Sequence, residues 1–274
     1  MTRTVMVIKA GEMESVGSHL RRLVRHRDLL LLLTQKDLKA KYKSTFLGFL
    51  WSLLNPLLLM LVYAAVFAVV VRFRMERYPV FLLAGVLPWN AFIISLSTAS
   101  LTIVGNGYLI RRVSFPREYL PLASVLSGVV NLCLSFVLLV VFALAFRQPL
   151  GQPLLALPLL VLLQTVFTTG LAFVLSALVV YFRDLENLIQ IGLMVVFFVT
   201  PIIYPFEAVQ HAPVAWVLKA NPMGWLITDY QRIWHDNQWP NPGTLLLFAV
   251  FSVIVLIAGW FVFKTLEPRF PEEV

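Results

Sequence analysis

Six long apolar stretches free of Asp, Glu, Lys, Arg and His limit what this chain can become. They run from Ser44 to Val71, Tyr78 to Ile110, Tyr119 to Phe146, Gln148 to Phe182, Asn187 to Phe206 and Thr244 to Phe263. A helix needs roughly 20 apolar residues to cross the hydrocarbon core of a bilayer, and each stretch supplies them. The expected fold class is therefore an all-α integral membrane protein with six transmembrane helices. Composition agrees: 59% of the 274 residues are hydrophobic and 13% are charged, where a soluble domain carries about a quarter charged. One transmembrane domain covers residues 1–274 in this reading. It has a cytoplasmic N-terminal segment (1–46), a six-span bundle (47–264) and a cytoplasmic tail (265–274).

Charge orients the bundle. With the N-terminus inside, the inner segments carry ten, three, one and two Lys and Arg, and the outer segments three, one and two: sixteen against six. Lys and Arg gather on the cytoplasmic side, so both termini are expected there. Arg72, Arg74 and Arg77 in the first outer loop are a local exception. The net charge of +8 falls mostly before Leu47, which suits an anionic inner leaflet and gives no nucleic-acid signal. Within that segment Leu31, Leu38, Tyr42 and Phe46 recur at helical spacing, while Lys36, Lys39 and Lys43 share another face. That pattern predicts an amphipathic helix in the interface plane, with Asp37 and Lys41 on it.

The stretch from Gly105 to Pro121 separates the second and third runs and holds Arg111, Arg112 and Arg117. Leu109, Ile110 and Val113 are enough for one apolar face on a short helix. Gly105 and Gly107 break the incoming helix, and Pro116 opens the next with Glu118 in its first turn. The expected form is a short helix across the inner face, a knob suited to docking a partner, with Phe115 as its apolar anchor. The same residues also suit a basic loop that only fixes topology.

Between the fifth and sixth runs, Glu207 to Pro242 holds Trp216, Trp225, Trp234 and Trp239 with four prolines. Val209 to Leu218 and Met223 to Ile233 are apolar pieces split by Asn221 and Pro222, each too short to span. They read as a re-entrant pair of half-helices, buried in protein or lining a cavity. An interfacial Trp belt under a surface loop is the other reading.

The missing chemistry is informative. The runs hold none of the ionisable groups that ion-coupled transporters place in the membrane, and no carboxylate set for a membrane hydrolase or transferase. His19, His26, His211 and His235 are scattered without ligand spacing, so no metal is expected. No Lys follows a Gly, so the phosphate loop is absent. The lone Cys133 sits in an apolar run and excludes an intrachain disulfide. A transporter built this way is passive or takes its energy from a partner.

Residues Lys36 to Pro56, Lys-Asp-Leu-Lys-Ala-Lys-Tyr-Lys-Ser-Thr-Phe-Leu-Gly-Phe-Leu-Trp-Ser-Leu-Leu-Asn-Pro, resemble the entry to the first span of ABC exporter permeases for polysaccharides. That type-2 exporter family includes the O-antigen, capsule and teichoic-acid exporters. Leu109 to Glu118, Tyr181-Phe-Arg-Asp-Leu, Pro201-Ile-Ile-Tyr204 and Asn221-Pro222 are similar to the same family, in the same order. Lys41 stands where the family commonly has Arg.

The resemblance implies a half-transporter: a homodimer forming the channel, with two copies of a separate ATPase subunit that hold ATP and Mg. The chain itself would be no enzyme and carry no cofactor. Leu109, Ile110, Arg111, Arg112, Val113, Phe115, Pro116, Arg117 and Glu118 would couple to that ATPase. The N-terminal helix and the turn with Tyr181, Arg183 and Asp184 would contact it too. Trp216, Asn221, Pro222 and Trp225 would form an outer gate. The implied cargo is an undecaprenyl-linked glycan or polyol-phosphate polymer crossing the bacterial cytoplasmic membrane. Tyr63, Phe67, Trp89, Phe92, Phe197, Phe198 and Tyr204 are candidates for the channel lining, since ring faces stack on sugar C–H surfaces; each also suits lipid contact or helix packing. An ABC permease for a drug or small lipid, and a membrane enzyme of glycan assembly, are the competing readings.

Overall fold

A computed structural model describes residues 27–42, 48, 50–66, 75–113, 115–209, 213 and 215–274. Several expectations lie outside the described residues: those on Lys43, Phe46, Phe67, Arg72, Arg74, His19, His26 and His211. The same holds for the side chains of Lys41 and Tyr42. Among the described residues every regular element is a helix. In chain order these are α1 (Arg27–Tyr42), α2 (Leu50–Val66), α3 (Tyr78–Gly105), α4 (Gly107–Arg112), α5 (Tyr119–Ala145), α6 (Leu157–Tyr181), α7 (Leu185–Val199), α8 (Ala215–Ala220), α9 (Pro222–Trp234), α10 (Pro242–Leu266) and α11 (Phe270–Glu273). Short 3-10 turns precede α6 (Gln152–Ala156) and α8 (Phe206–Ala208) and join α10 to α11 (Glu267–Arg269).

Four helical stretches are long and apolar enough to cross a membrane: Tyr78–Gly105, Tyr119–Ala145, Gln152–Tyr181 and Pro242–Glu273. They correspond to the second, third, fourth and sixth expected runs. The fifth is shorter than expected. α7 has 15 residues, about 22 Å at 1.5 Å per residue, against a core of about 30 Å. It stops at Val199 because Thr200, which precedes Pro201, is extended (φ −99°, ψ 134°), as a residue before proline prefers. Within the second run α3 stops at Gly105, where the glycines were expected to break it, and the chain restarts as α4.

α3 is the hub, packed against α2, α5, α6, α7 and α9. Its Trp89, Phe92 and Leu96 join Leu160 and Phe167 of α6, Leu226 and Tyr230 of α9 and Phe248 of α10 in the larger core. A second core closes one end of the bundle, with Leu33, Ile110, Tyr119, Phe173, Phe263 and Phe270. α6 and α10 pack side by side and touch backbone to backbone. A Cβ on Gly259 would lie 2.1 Å from the Gly170 carbonyl oxygen, and one on Gly170 would lie 2.6 Å from the Leu256 nitrogen. Helices in lipid associate through such small residues because lipid tails are as apolar as leucine. The opposite face of α10 exposes Leu246, Leu247, Val250, Ile254, Ile257 and Phe261, a stripe at helical spacing.

Two helices start the same way. Asn221 precedes Pro222, and its side-chain oxygen accepts from the Met223 N–H at 3.0 Å. Asn241 precedes Pro242 and accepts from Gly243 at 2.9 Å. Each pairs a capping Asn with a proline whose missing N–H costs nothing at the first helical position.

Candidate functional site

The site is the end of the bundle that carries α1, the 106–118 loop and the C-terminal residues; we call it the basic end. The Gly-Asn-Gly signal breaks α3 as expected. Asn106 adopts φ −113°, ψ 24°, its amide donates to the Thr102 carbonyl at 2.7 Å, and its carbonyl accepts from Leu109 and Ile110 to start α4. Lys36 of α1 donates to the Asn106 side-chain oxygen at 2.6 Å, and Ser124 of α5 donates to Asp37 at 2.9 Å. Burial pushes the Asp37 carboxyl above its ordinary value, against the Ser124 bond and the Lys36 charge. So α1 is seated on the loop and on α5. Its packed face is Leu29, Leu30, Leu33 and Asp37, while Leu31 and Leu32 point away, 55% and 64% exposed. Lys39 is exposed.

Within α4 only Ile110 is buried. Leu109, Arg111, Arg112 and Val113 are exposed, and so is Tyr108 at 69%. The Arg112 guanidinium lies 4.4 Å from the Tyr108 ring centroid, a cation–π contact. The expected anchor, Phe115, is instead half-buried against the second core. Pro116 does not open the next helix, either: α5 begins at Tyr119, with Pro116 accepting from the Tyr119 N–H at 3.2 Å. Glu118 is not in a first helical turn at the surface. It precedes the helix, 2% exposed, with its carboxylate 2.9 Å from Lys264.

Several polar groups of this end converge on the last turn of α10 and the 3-10 turn that follows it. Lys264 Nζ also meets Glu267 at 2.8 Å, Arg117 donates to the Glu267 carbonyl at 2.6 Å, and the Tyr181 hydroxyl donates to the Leu266 carbonyl at 2.9 Å. Phe270 is fully buried between Phe263 and Tyr181. The structure thus brings the loop and the Tyr181 turn to one place. Tyr181 and Arg117 turn inward; Phe182, Arg183 and Asp184 stay exposed.

Toward the other end, α8 (Ala215–Ala220) starts later than the expected Val209. α9 is nearly all buried. Asn221 Nδ2 donates to Thr200 Oγ1 at 2.8 Å, Gln231 donates to the Pro201 carbonyl at 3.0 Å, and Tyr230 donates to Gln164 at 3.0 Å. Trp225 donates to the Lys219 carbonyl at 2.7 Å, while Trp216 is 71% exposed. The aromatic candidates divide. Trp89 and Phe92 are core residues, 5.5 Å apart between centroids. Phe197 is half-buried and touches Trp89 and Tyr63, each at 5.9 Å. Phe198 is 60% exposed, and Tyr204 donates to its carbonyl at 2.8 Å.

Residues 28–233, from α1 to the end of α9, match the model of the ABC-2 type transporter family. The chain belongs to that family. With its four span-length helices, this ABC-2 member is a multi-pass membrane protein. It is similar to an O-antigen export system permease protein, RfbA, of Myxococcus xanthus, at 36% identity over 93% of this chain and 98% of the relative. RfbA of Klebsiella pneumoniae is 32% identical over 89% and 94% of the two chains. The polysialic acid transport protein KpsM of Escherichia coli is 20% identical over 85% and 91%.

Sequence reasoning passed over two parts of this ABC-2 site. One is Tyr108, whose spacing of four from Arg112 was the available signal. The other is the set Lys264, Glu267 and Phe270, 146 or more residues from the loop they hold, for which no local pattern exists.

Proposed function

We propose that this chain is the membrane permease subunit of an ATP-driven exporter, moving a lipid-linked polysaccharide or polyol-phosphate polymer from the inner to the outer leaflet of a bacterial cytoplasmic membrane. The relatives named for O-antigen export and polysialic acid transport support the cargo class. The observation that carries the mechanism is the 106–118 loop. It offers Tyr108, Arg112 and Val113 outward from a base that is buried and ion-paired. A separate ATPase subunit, holding ATP and Mg, docks there. The chain works as a homodimer with two such subunits; α7 has no buried residue in one copy, so a second copy would complete its walls.

In this reading the basic end is cytoplasmic, both termini lie inside, and α2 and α7 supply the first and fifth spans. α8 and α9 form the re-entrant pair and outer gate, with Asn221 as the hinge between them. Tyr63, Phe197 and Phe198 on the less packed helices are the lining that meets the cargo; Trp89 and Phe92 back them. The polar bonds of α9 to residues 200–202 support a gate that moves with the end of α7.

The test is co-purification and export. Tyr108→Ala and Val113→Asp should each insert at wild-type levels, lose most of the bound ATPase subunit, and lose surface glycan on intact cells. An interface hot spot is worth about 2 kcal/mol or more, roughly thirtyfold in affinity. Full ATPase recovery and full export by both variants would remove the docking role from this loop.

A further inference from the structure

We propose that the turn from Lys264 to Phe270 is a positioning element, and that the Lys264–Glu118 pair is the joint that passes displacement of the docking loop into α10 and α6. This rests on the reading of the loop as the ATPase docking site.

Three groups from the loop and from α6 grip one turn at the foot of α10. Glu118 meets Lys264 at 2.9 Å, with its carboxylate side chain 3% exposed. Arg117 takes the Glu267 carbonyl, and Tyr181 takes the Leu266 carbonyl. The Leu266 carbonyl belongs to a helix end, where backbone acceptors lack partners in the helix itself; the Glu267 carbonyl accepts the Phe270 N–H and takes Arg117 as a second donor. Phe270 then closes the turn against Phe263 and Tyr181. Gly107, the first residue of α4, is the last contact. A Cβ there would lie 2.5 Å from Val274, so α4 is flush with the C-terminal residues.

Stability alone is a poor account of the pair. Buried ion pairs contribute little net stability, since desolvation offsets their attraction, and fixing register is their best-attested use. Here the register fixed is that of the loop relative to α10. Above the joint, α10 rides on α6 with backbones touching at Gly170 and Gly259. Close-packed interfaces shift as units rather than deform smoothly. A push on Tyr108 and Val113 therefore reaches two long helices through Glu118 and Lys264. The α3 side of the loop has a break at Asn106, so the loop is not a continuous extension of α3, and its covalent neighbour on that side is a turn.

The test uses the full chain co-expressed with its ATPase subunit. The variants are Glu118→Gln, Lys264→Met and a reversed pair (Glu118→Lys, Lys264→Glu, with Glu267→Gln to remove the like charge). Three quantities are read: ATPase subunit co-purified, phosphate release by the purified complex, and surface glycan on intact cells by periodate oxidation and hydrazide dye. The single variants should keep the ATPase bound and hydrolysing while surface glycan falls about tenfold, and the reversed pair should recover most of it. Wild-type glycan in both single variants overturns the proposal, and so does a reversed pair that assembles but does not recover. Loss of the ATPase from the single variants also overturns it, since the pair would then serve docking rather than transmission. Failure of the docking reading shows elsewhere, in Tyr108→Ala and Val113→Asp complexes that keep both ATPase and export.

Discussion

His235 shows how much one side chain decides. Its Nδ1 lies 2.7 Å from an Asp236 carboxylate oxygen and its Nε2 2.9 Å from the Glu76 carbonyl. Both neighbours only accept, so the imidazolium, with two N–H donors, satisfies both and a neutral ring satisfies one. Burial lowers the pKa and Arg77 opposes the charge, but the bonds to Asp236 and Glu76 and the Asp236 charge carry it above its ordinary value. A raised folded pKa gives stability that is complete below the unfolded value, about 6.5, and is lost as pH rises through the folded value. We therefore expect the thermal midpoint of the wild-type protein to exceed that of His235→Gln at pH 5.5, and the gap to narrow by pH 9. A gap constant across that range would refute the imidazolium clasp. None of this was legible in the sequence, where His235 is one of four scattered histidines; its partner Glu76 is 159 residues away. The 106–118 loop was legible in outline, because Gly105, Asn106 and Gly107 are adjacent and break a helix by local conformation. Which aromatic faces outward was not. Phe115 and Tyr108 flank the same arginines, and only the position of the second core decides that Phe115 turns in and Tyr108 out.

At the scale of elements, length and apolar content identified α3, α5, α6 and α10, since span length is a property of the local run. The end of α7 depended on Pro201, which sits inside the fifth apolar run and stops the helix before the run ends. Helix crossings were not legible either. Gly170, Gly192 and Gly259 each sit in an apolar run, yet their surroundings differ. A Cβ at Gly192 meets nothing within 4 Å, while one at Gly259 runs into the α6 backbone. Gly259→Ala should therefore push α10 off α6, costing at least the roughly 1–3 kcal/mol of an overpacked core. Gly192→Ala should be neutral or stabilising by up to about 1 kcal/mol, the helix preference of Ala over Gly. Thermal midpoints of the two variants in detergent or nanodiscs read the difference, and equal midpoints would mean that the Gly170–Gly259 crossing is not the close contact described. Asn221→Ala makes a third case. It removes the cap of α9 and the bond to Thr200 together, so it should cost somewhat more than the roughly 1 kcal/mol of a cap alone.

For the molecule as a whole, orientation follows from charge and is set by the ends that the structure groups together. Ten of the 22 Lys and Arg precede Leu47, and among the described residues Lys36, Lys39, Arg111, Arg112, Arg117, Arg183, Lys264 and Arg269 belong to the basic end. The four span-length helices carry no Asp, Glu, Lys or Arg before Lys264 at the basic end, so no local charge competes with that imbalance. Tyr108 marks the basic end and Trp239 the other, and both are exposed, at 69% and 53%. With Cys133→Ser as background, Tyr108→Cys and Trp239→Cys should report opposite sides of the membrane. A membrane-impermeant maleimide added to intact spheroplasts should label Trp239→Cys, and should reach Tyr108→Cys only after permeabilisation. The reverse pattern would turn the molecule over and place the proposed docking loop where no ATP is present, so the proposed export mechanism would fail with it. Labelling of both from outside would mean that the two ends share one side, and would dissolve the bundle topology itself.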